Sequence, residues 1–244
     1  MKPASSCRPR GFTLLETVIA IGVLAVLLTG FIVVFTPAAD GIRKSLNLQQ
    51  ADRMASAVEQ ELVTLRGSTE TTNYKTGFNK SFDWIKKSNS STDAFLVYQY
   101  RGAISNPRAN DGTPTPVVSL TGMQPGIDYV VVPMCRRVGD TLFAADLAAI
   151  EGGVYLVKCT QLRFSRGQLI VGTAGSIVDP KSDPPLASAS ADAYPEAVIA
   201  FAAEFYSMPS KSADYFTNSS NSAFKTKFTS FKNPVFTRNL AVRR

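Results

Sequence analysis

From Gly11 to Phe35 the chain reads GFTLLETVIAIGVLAVLLTGFIVVF, with Glu16 as its one charge. From Thr17 to Phe35 the only polar side chains are Thr17 and Thr29. At ~1.5 Å rise per residue, a helix of this length covers most of a ~30 Å hydrocarbon core. Past Pro37 the pattern changes. Ile42, Leu46, Met54, Val58, Leu62 and Leu65 recur at spacings that fall on one helix face, and Ala51 and Ala55 extend the stripe. Arg43, Lys44, Gln49, Gln50, Asp52, Arg53, Glu59 and Glu61 fill most of the other face. Pro37 removes a helix hydrogen bond and predicts a kink, and Gly67 predicts a helix stop. One helix is therefore expected with two chemistries: apolar all round in its first half, one-sided in its second.

The stretch from Ser68 to Asp93 is polar except for Phe78, Phe82 and Trp84. It reads as a connecting loop with a short helix near Phe82 to Lys87, and Trp84 as a packing residue. Strand-like runs follow at Ala94–Tyr100, Asp128–Met134, Gly153–Cys159, Gln168–Gly172, Ala197–Tyr206, Phe224–Phe231 and Val235–Val242. In Phe224–Phe231, alternation of Phe224, Thr226, Phe228 and Ser230 with Lys225, Lys227 and Thr229 suggests a strand. Asn233-Pro234 then makes the last two runs a hairpin-like pair. Ala197–Tyr206 suits a strand or a short helix. Two turn-rich inserts, Gly102–Gly126 and Thr173–Pro195, interrupt the strands. The fold class is α+β: a long N-terminal helix packed on an antiparallel β-sheet head.

Glu16 is the anomaly in the apolar run, since an unpaired carboxylate in lipid costs several kcal/mol, on the order of other buried charges. Ahead of it lies a short leader with Lys2, Arg8, Arg10 and no acid. The segment Gly11-Phe12-Thr13-Leu14-Leu15-Glu16 resembles the processing motif of the type IV pilin and type II secretion pseudopilin family, followed by that family's apolar helix. The resemblance covers about the first thirty residues. It implies cleavage between Gly11 and Phe12 by a prepilin peptidase on the cytoplasmic side and N-methylation of Phe12. It further implies a charge pair, in the assembled filament, between Glu16 of one subunit and the Phe12 ammonium of a neighbour. An ordinary secretory signal fits less well, because its apolar region would be shorter and its best late cleavage site, Pro37-Ala38-Ala39, starts with proline.

The resemblance divides the chain into a leader (1–11), a transmembrane or filament-core helix (12–36), the amphipathic half of the same helix (37–67) and a globular β-rich head (68–244). It implies a bacterial inner-membrane protein with one span, leader in the cytoplasm and head in the periplasm, later drawn into a pilus or pseudopilus. The expected partners are the prepilin peptidase, other pilin or pseudopilin subunits and the inner membrane, with an assembly ATPase and platform protein acting indirectly. The head is larger than that of a usual major pilin, which points to a minor pilin or minor pseudopilin. The alternative is a membrane-anchored or tip-located binding head that is no bulk filament component.

Composition adds limits. Among 244 residues, 45% are hydrophobic, with 15 Phe and 8 Tyr, enough for a core beyond the anchor. Lys2, Arg8 and Arg10 supply three of the seven net positive charges, and the remaining +4 is spread out, so no nucleic-acid partner is expected. Histidine is absent, which excludes Ser-His-Asp and Cys-His catalysis and the usual zinc sites, and no phosphate-binding glycine motif occurs. No enzyme is read here. Cys7 falls in the leader; Cys135 and Cys159 remain, either as a disulfide in an oxidising envelope or as two buried thiols. No cofactor is expected. Asp179, Asp183 and Asp192 either hold calcium, as in some pseudopilin heads, or are solvated loop acids. Tyr215 and Phe216, beside Asn218 to Asn221, suggest an exposed contact loop. Arg243-Arg244 caps a strand edge or dangles.

Overall fold

The apolar run forms a helix, as its composition requires. In this computed structural model, which describes residues 13–109, 112–165, 167–217 and 222–244, α1 runs from Leu14 to Val63. The side chains of residues 34, 36–41, 43, 44 and 46–48 lie outside that description. Two compact units are present, Met1–Gln50 and Ala51–Arg244, and α1 contributes to both.

Within the second unit, Ala51, Met54, Ala55, Val58 and Leu62 of α1 are buried, as the stripe predicts. Full burial of side chains such as Val58 and Leu62 contributes about 1.5–3 kcal/mol each. Glu61 departs from the expected polar face: it is buried at 4% exposure. Gly67 is not the stop either. α1 ends at Val63, and Gly67, at φ 64°, opens a short helix α2 (Gly67–Asn73).

What ends α1 is α3 (Gly77–Lys87), longer than the short helix expected. The Thr76 hydroxyl caps it, accepting from the Asn79 amide at 3.3 Å. The α3 side chains then satisfy α1's orphan carbonyls: Ser81 Oγ donates to Leu62 O at 2.8 Å and Lys80 Nζ to Thr64 O at 2.7 Å. Gly77 makes the approach possible, because a Cβ there would lie 2.1 Å from the Val63 carbonyl oxygen.

Six strands form one antiparallel sheet: β1 (Phe95–Ala103), β2 (Tyr129–Arg137), β3 (Ile150–Ser165), β4 (Gln168–Ala174), β5 (Val198–Ser207) and β6 (Phe236–Arg243). The order is β2-β1-β3-β5-β6, and β4 pairs with the far end of β3. The ambiguous run at 197–206 is thus a strand. Side chains alternate between two buried faces. Phe95, Val97, Val157, Cys159, Phe201, Ala203 and Phe205 face α1 and α3, with Trp84 in that core as expected. Leu96, Tyr98, Tyr100, Val154, Leu156 and Tyr206 face a second core, built with α4 (Phe143–Leu147), α5 (Ala213–Thr217) and α6 (Ala223–Lys227).

The run Phe224–Phe231 is not a strand, and no hairpin forms at Asn233-Pro234. It is α6 followed by a 3-10 turn, Phe228–Ser230. Phe224 and Phe228, four residues apart, both enter the second core, with Phe231 packed against it three residues on. The spacing is helical, and the Ser222 hydroxyl caps the helix by accepting from the Lys225 amide at 3.2 Å.

Candidate functional site

Two regions carry unusual chemistry, one in each unit. In the first, Gly11 and Phe12 lie outside the described residues. Glu16 falls in the first turn of α1, where a carboxylate suits the helix dipole, and its amide donates to the Thr13 carbonyl at 3.1 Å. The span Leu14–Val33, 20 residues with mean hydropathy 2.4, is long and apolar enough to cross a membrane. None of it is buried among the described residues. Leu14, Val26 and Leu27 are 83%, 73% and 64% exposed, on different sides of the helix. The two polar side chains of the run turn inward: Thr17 Oγ1 donates to Leu14 O and Thr29 Oγ1 to Ala25 O, each at 2.8 Å. Both hydroxyls are satisfied without water, as a hydrocarbon setting demands. The helix continues through Pro37, whose side chain lies outside the described set.

The second region is a charged cluster at the end of α1, which the linear pattern did not reveal. Glu61 accepts from Lys80 Nζ at 3.1 Å, Arg66 Nε at 3.0 Å and Arg108 Nη1 at 2.8 Å. Lys80, fully buried, also reaches Glu70 at 2.8 Å and stands 4.8 Å above the Trp84 ring. Burial pushes the Glu61 carboxyl up, but Lys80, Arg108 and Arg66 together outweigh it and hold it below the usual glutamate range. Beside this cluster, Asp83 accepts from Tyr74 Oη at 2.7 Å and Arg137 Nη2 at 2.6 Å. Burial and that bond to Asp83 push the Tyr74 phenol up to about 12. Behind it, Arg136 bridges Asp140 and the buried Asp146, which also accepts from Tyr98. A cleft of about 650 Å³ opens among these groups. A basic residue on the α3 face otherwise made of Trp84, Ser81 and Gly77 was the available hint that Lys80 points inward.

The remaining expected site residues are placed as follows. Cys135 and Cys159 are buried free thiols, not a disulfide. Strand β1 lies between their strands, so two inter-strand spacings, roughly 10 Å, separate the lines they sit on. Along the register, Cys135 is opposite Val97, which in turn is opposite Tyr155, four residues from Cys159. A disulfide needs Cα atoms within about 7 Å. Burial pushes both thiols far up. Asp179 accepts from the Lys181 amide at 2.7 Å, whereas Asp192 faces the Asn79 amide at 3.5 Å. Among the described residues no cluster of three or more acids, histidines or cysteines suits a metal, so these aspartates are not brought together. Tyr215 and Phe216 are core residues rather than an exposed loop, and 218–221 lie outside the described residues. Arg244 does not dangle: Nη2 donates to Ala191 O at 2.6 Å and Tyr194 O at 3.0 Å, with the guanidinium 4.8 Å over Phe78.

Residues 7–32 match the family described as the prokaryotic N-terminal methylation motif. No curated protein and no solved structure matches the chain. The matched stretch contains the Gly11-Phe12 junction, Glu16 and most of the solvent-exposed apolar helix. The chain therefore carries a prepilin-type cleavage and methylation motif of the kind found in the type IV pilin and pseudopilin family, set ahead of an α+β head.

Proposed function

We propose that this protein is a prepilin-like structural subunit, a minor pilin or pseudopilin, cleaved between Gly11 and Phe12, methylated on Phe12 and assembled into a filament. The observation that carries the reading is the junction of the methylation motif with a helix exposed all round. Among the described residues nothing covers Leu14–Val33. Lipid covers it before assembly and the helices of neighbouring subunits cover it afterwards. Because both surroundings are apolar, the hydrophobic effect gives little net drive for the exchange. Direction comes from helix packing, from an external ATPase and from the pairing of Glu16 with the Phe12 ammonium of another copy. In low dielectric an opposed pair attracts strongly, and a broken one leaves a costly orphan. Glu16 thus fixes the register of helices that could otherwise slide. Gly22 and Gly30, with open space where a Cβ would stand, let a neighbour approach.

In this reading residues 1–11 are removed, 12–36 form the anchor and filament core, 37–67 the amphipathic continuation with a bend at Pro37, and 68–244 the head. The role is architectural, not enzymatic. The test is incorporation: filaments purified from cells producing the wild-type chain contain it, and those from cells producing Glu16→Ala do not.

A further inference from the structure

Three strands have only one neighbour in the sheet: β2 and β6 at its two sides, and β4, which pairs with β3 alone. An open edge is a row of unpaired amides and carbonyls that another strand can take up, and natural sheets blunt such edges with charge or proline. β2 carries Pro133 and Arg137, and β6 carries Arg238 and Arg243. β4 has neither device: Gln168-Leu169-Ile170-Val171-Gly172-Thr173-Ala174 holds no charge and no proline. Among the described residues no loop backbone hydrogen bond reaches 168–172, so nothing in the fold covers that edge.

The hairpin also exposes an apolar face. Phe164 lies opposite Leu169 and Leu162 opposite Val171, so these four share one side, with Arg163 and Ile170 on the other. Phe164, Leu169 and Val171 are 73%, 51% and 61% exposed, together on the order of a few hundred Å² of apolar surface, a patch of the size that is often functional. Charge selects what fits there. The chain carries 26 Lys and Arg against 19 Asp and Glu, so copies repel on average, and self-pairing of β6 would gather arginines of like sign. Self-pairing of β4 meets no such penalty. Centred on Ile170, an antiparallel pairing sets Leu169 opposite Val171 of the other copy and Ile170 opposite its own counterpart, apolar against apolar throughout.

We propose that β4 docks a second copy of this chain, the two strands pairing antiparallel about a twofold axis at Ile170 and joining two sheets into one. The exposed patch is smaller than the roughly 800 Å² that each partner gives to a standard interface, so the pairing is weak between free molecules. Holding the apolar helices Leu14–Val33 in one bilayer raises the local concentration and strengthens it. The contact itself uses only the head and stands whether or not the chain enters a filament.

The experiment uses the full chain in phosphatidylcholine vesicles, with Cys7→Ser in every variant, and follows disulfide-linked dimers formed with copper–phenanthroline in air. Cα atoms directly opposite in an antiparallel pair stand about 4.5–5.5 Å apart, within disulfide reach, so Ile170→Cys is expected to cross-link rapidly. Asn239→Cys, exposed on the β6 edge, measures chance collision and is expected to cross-link at least tenfold more slowly, a gap on the scale of about 1.4 kcal/mol. Adding Leu169→Lys to Ile170→Cys places charge on the edge and is expected to lower its rate to that of the control. Protection of the buried Cys135 and Cys159 from iodoacetamide shows that each variant is folded, and Val171→Lys serves if Leu169→Lys is not. Cross-linking of Ile170→Cys no faster than the Asn239→Cys control leaves the edge to a different chain and overturns the proposal. So does a folded lysine variant that cross-links as fast as Ile170→Cys alone.

Discussion

Lys80 Nζ lies 3.1 Å from Glu61 Oε1, with the two side chains 0% and 4% exposed. The pair joins the end of α1 to α3, and Arg66, Arg108 and Glu70 complete a network around it. Removing Lys80 leaves Glu61 paired with Arg66 and Arg108 but strips the Thr64 carbonyl of its donor and Glu70 of its cation. Lys80→Met is therefore expected to lower the unfolding free energy of the head by about 1–3 kcal/mol, read by chemical denaturation. Loss of less than about 1 kcal/mol would place the pair in a solvent-like setting.

The same network sets a pH dependence. Glu61 titrates lower in the folded chain than its ordinary value of 4.5, so the folded state binds its proton less readily than the unfolded one. Its contribution is complete above that ordinary value and is lost as pH falls through the lower, folded-state value. Thermal unfolding between about pH 6 and 3 is expected to show a steep loss of stability that is shallower in Glu61→Gln, which removes the titrating group.

Cys135 and Cys159 give a chemical prediction. Both thiols are buried and held protonated, so iodoacetamide is expected to leave them unmodified in the native head and to label both in denaturant. The unfolding midpoint should not change with reductant. A reductant-sensitive midpoint, or a non-reduced mass lacking two hydrogens, would show a bond instead.

The helical segment after Ser222 can be tested by its cap. Ser222→Ala removes the hydroxyl that accepts from the Lys225 amide, at an expected cost of about 1 kcal/mol. Phe224→Ala empties a fully buried position and should cost about 3–5 kcal/mol. A strand here would leave Ser222→Ala silent.

Legibility in the sequence followed the range of the interactions. The apolar run and the stripe of Met54, Val58 and Leu62 are local periodicities and were readable directly. So are most strands, because Phe95 to Tyr100 and Val154 to Val157 carry the β-branched and aromatic residues that a buried sheet takes, whereas the alanines within Phe201 to Phe205 leave that run open between strand and helix. Phe224 to Phe231 misled because its lysines alternate with period two while its phenylalanines recur at four and three, and burial follows the phenylalanines. The local pattern puts Glu61 on the polar face because two of its three cations, Lys80 and Arg108, come from α3 and from the loop after β1, beyond any local window. The cleft was illegible for the same reason. The cysteine pairing failed on topology: spacing along the chain does not reveal that β1 lies between β2 and β3.

The central claim is the processing of the Gly11-Phe12 junction, and intact mass with N-terminal sequencing of the protein from producing cells tests it most directly. The account predicts a chain that begins at Phe12 and is heavier by one methyl group. A chain that keeps residues 1–11, or one that begins near Asp40 after loss of the apolar helix, would contradict it.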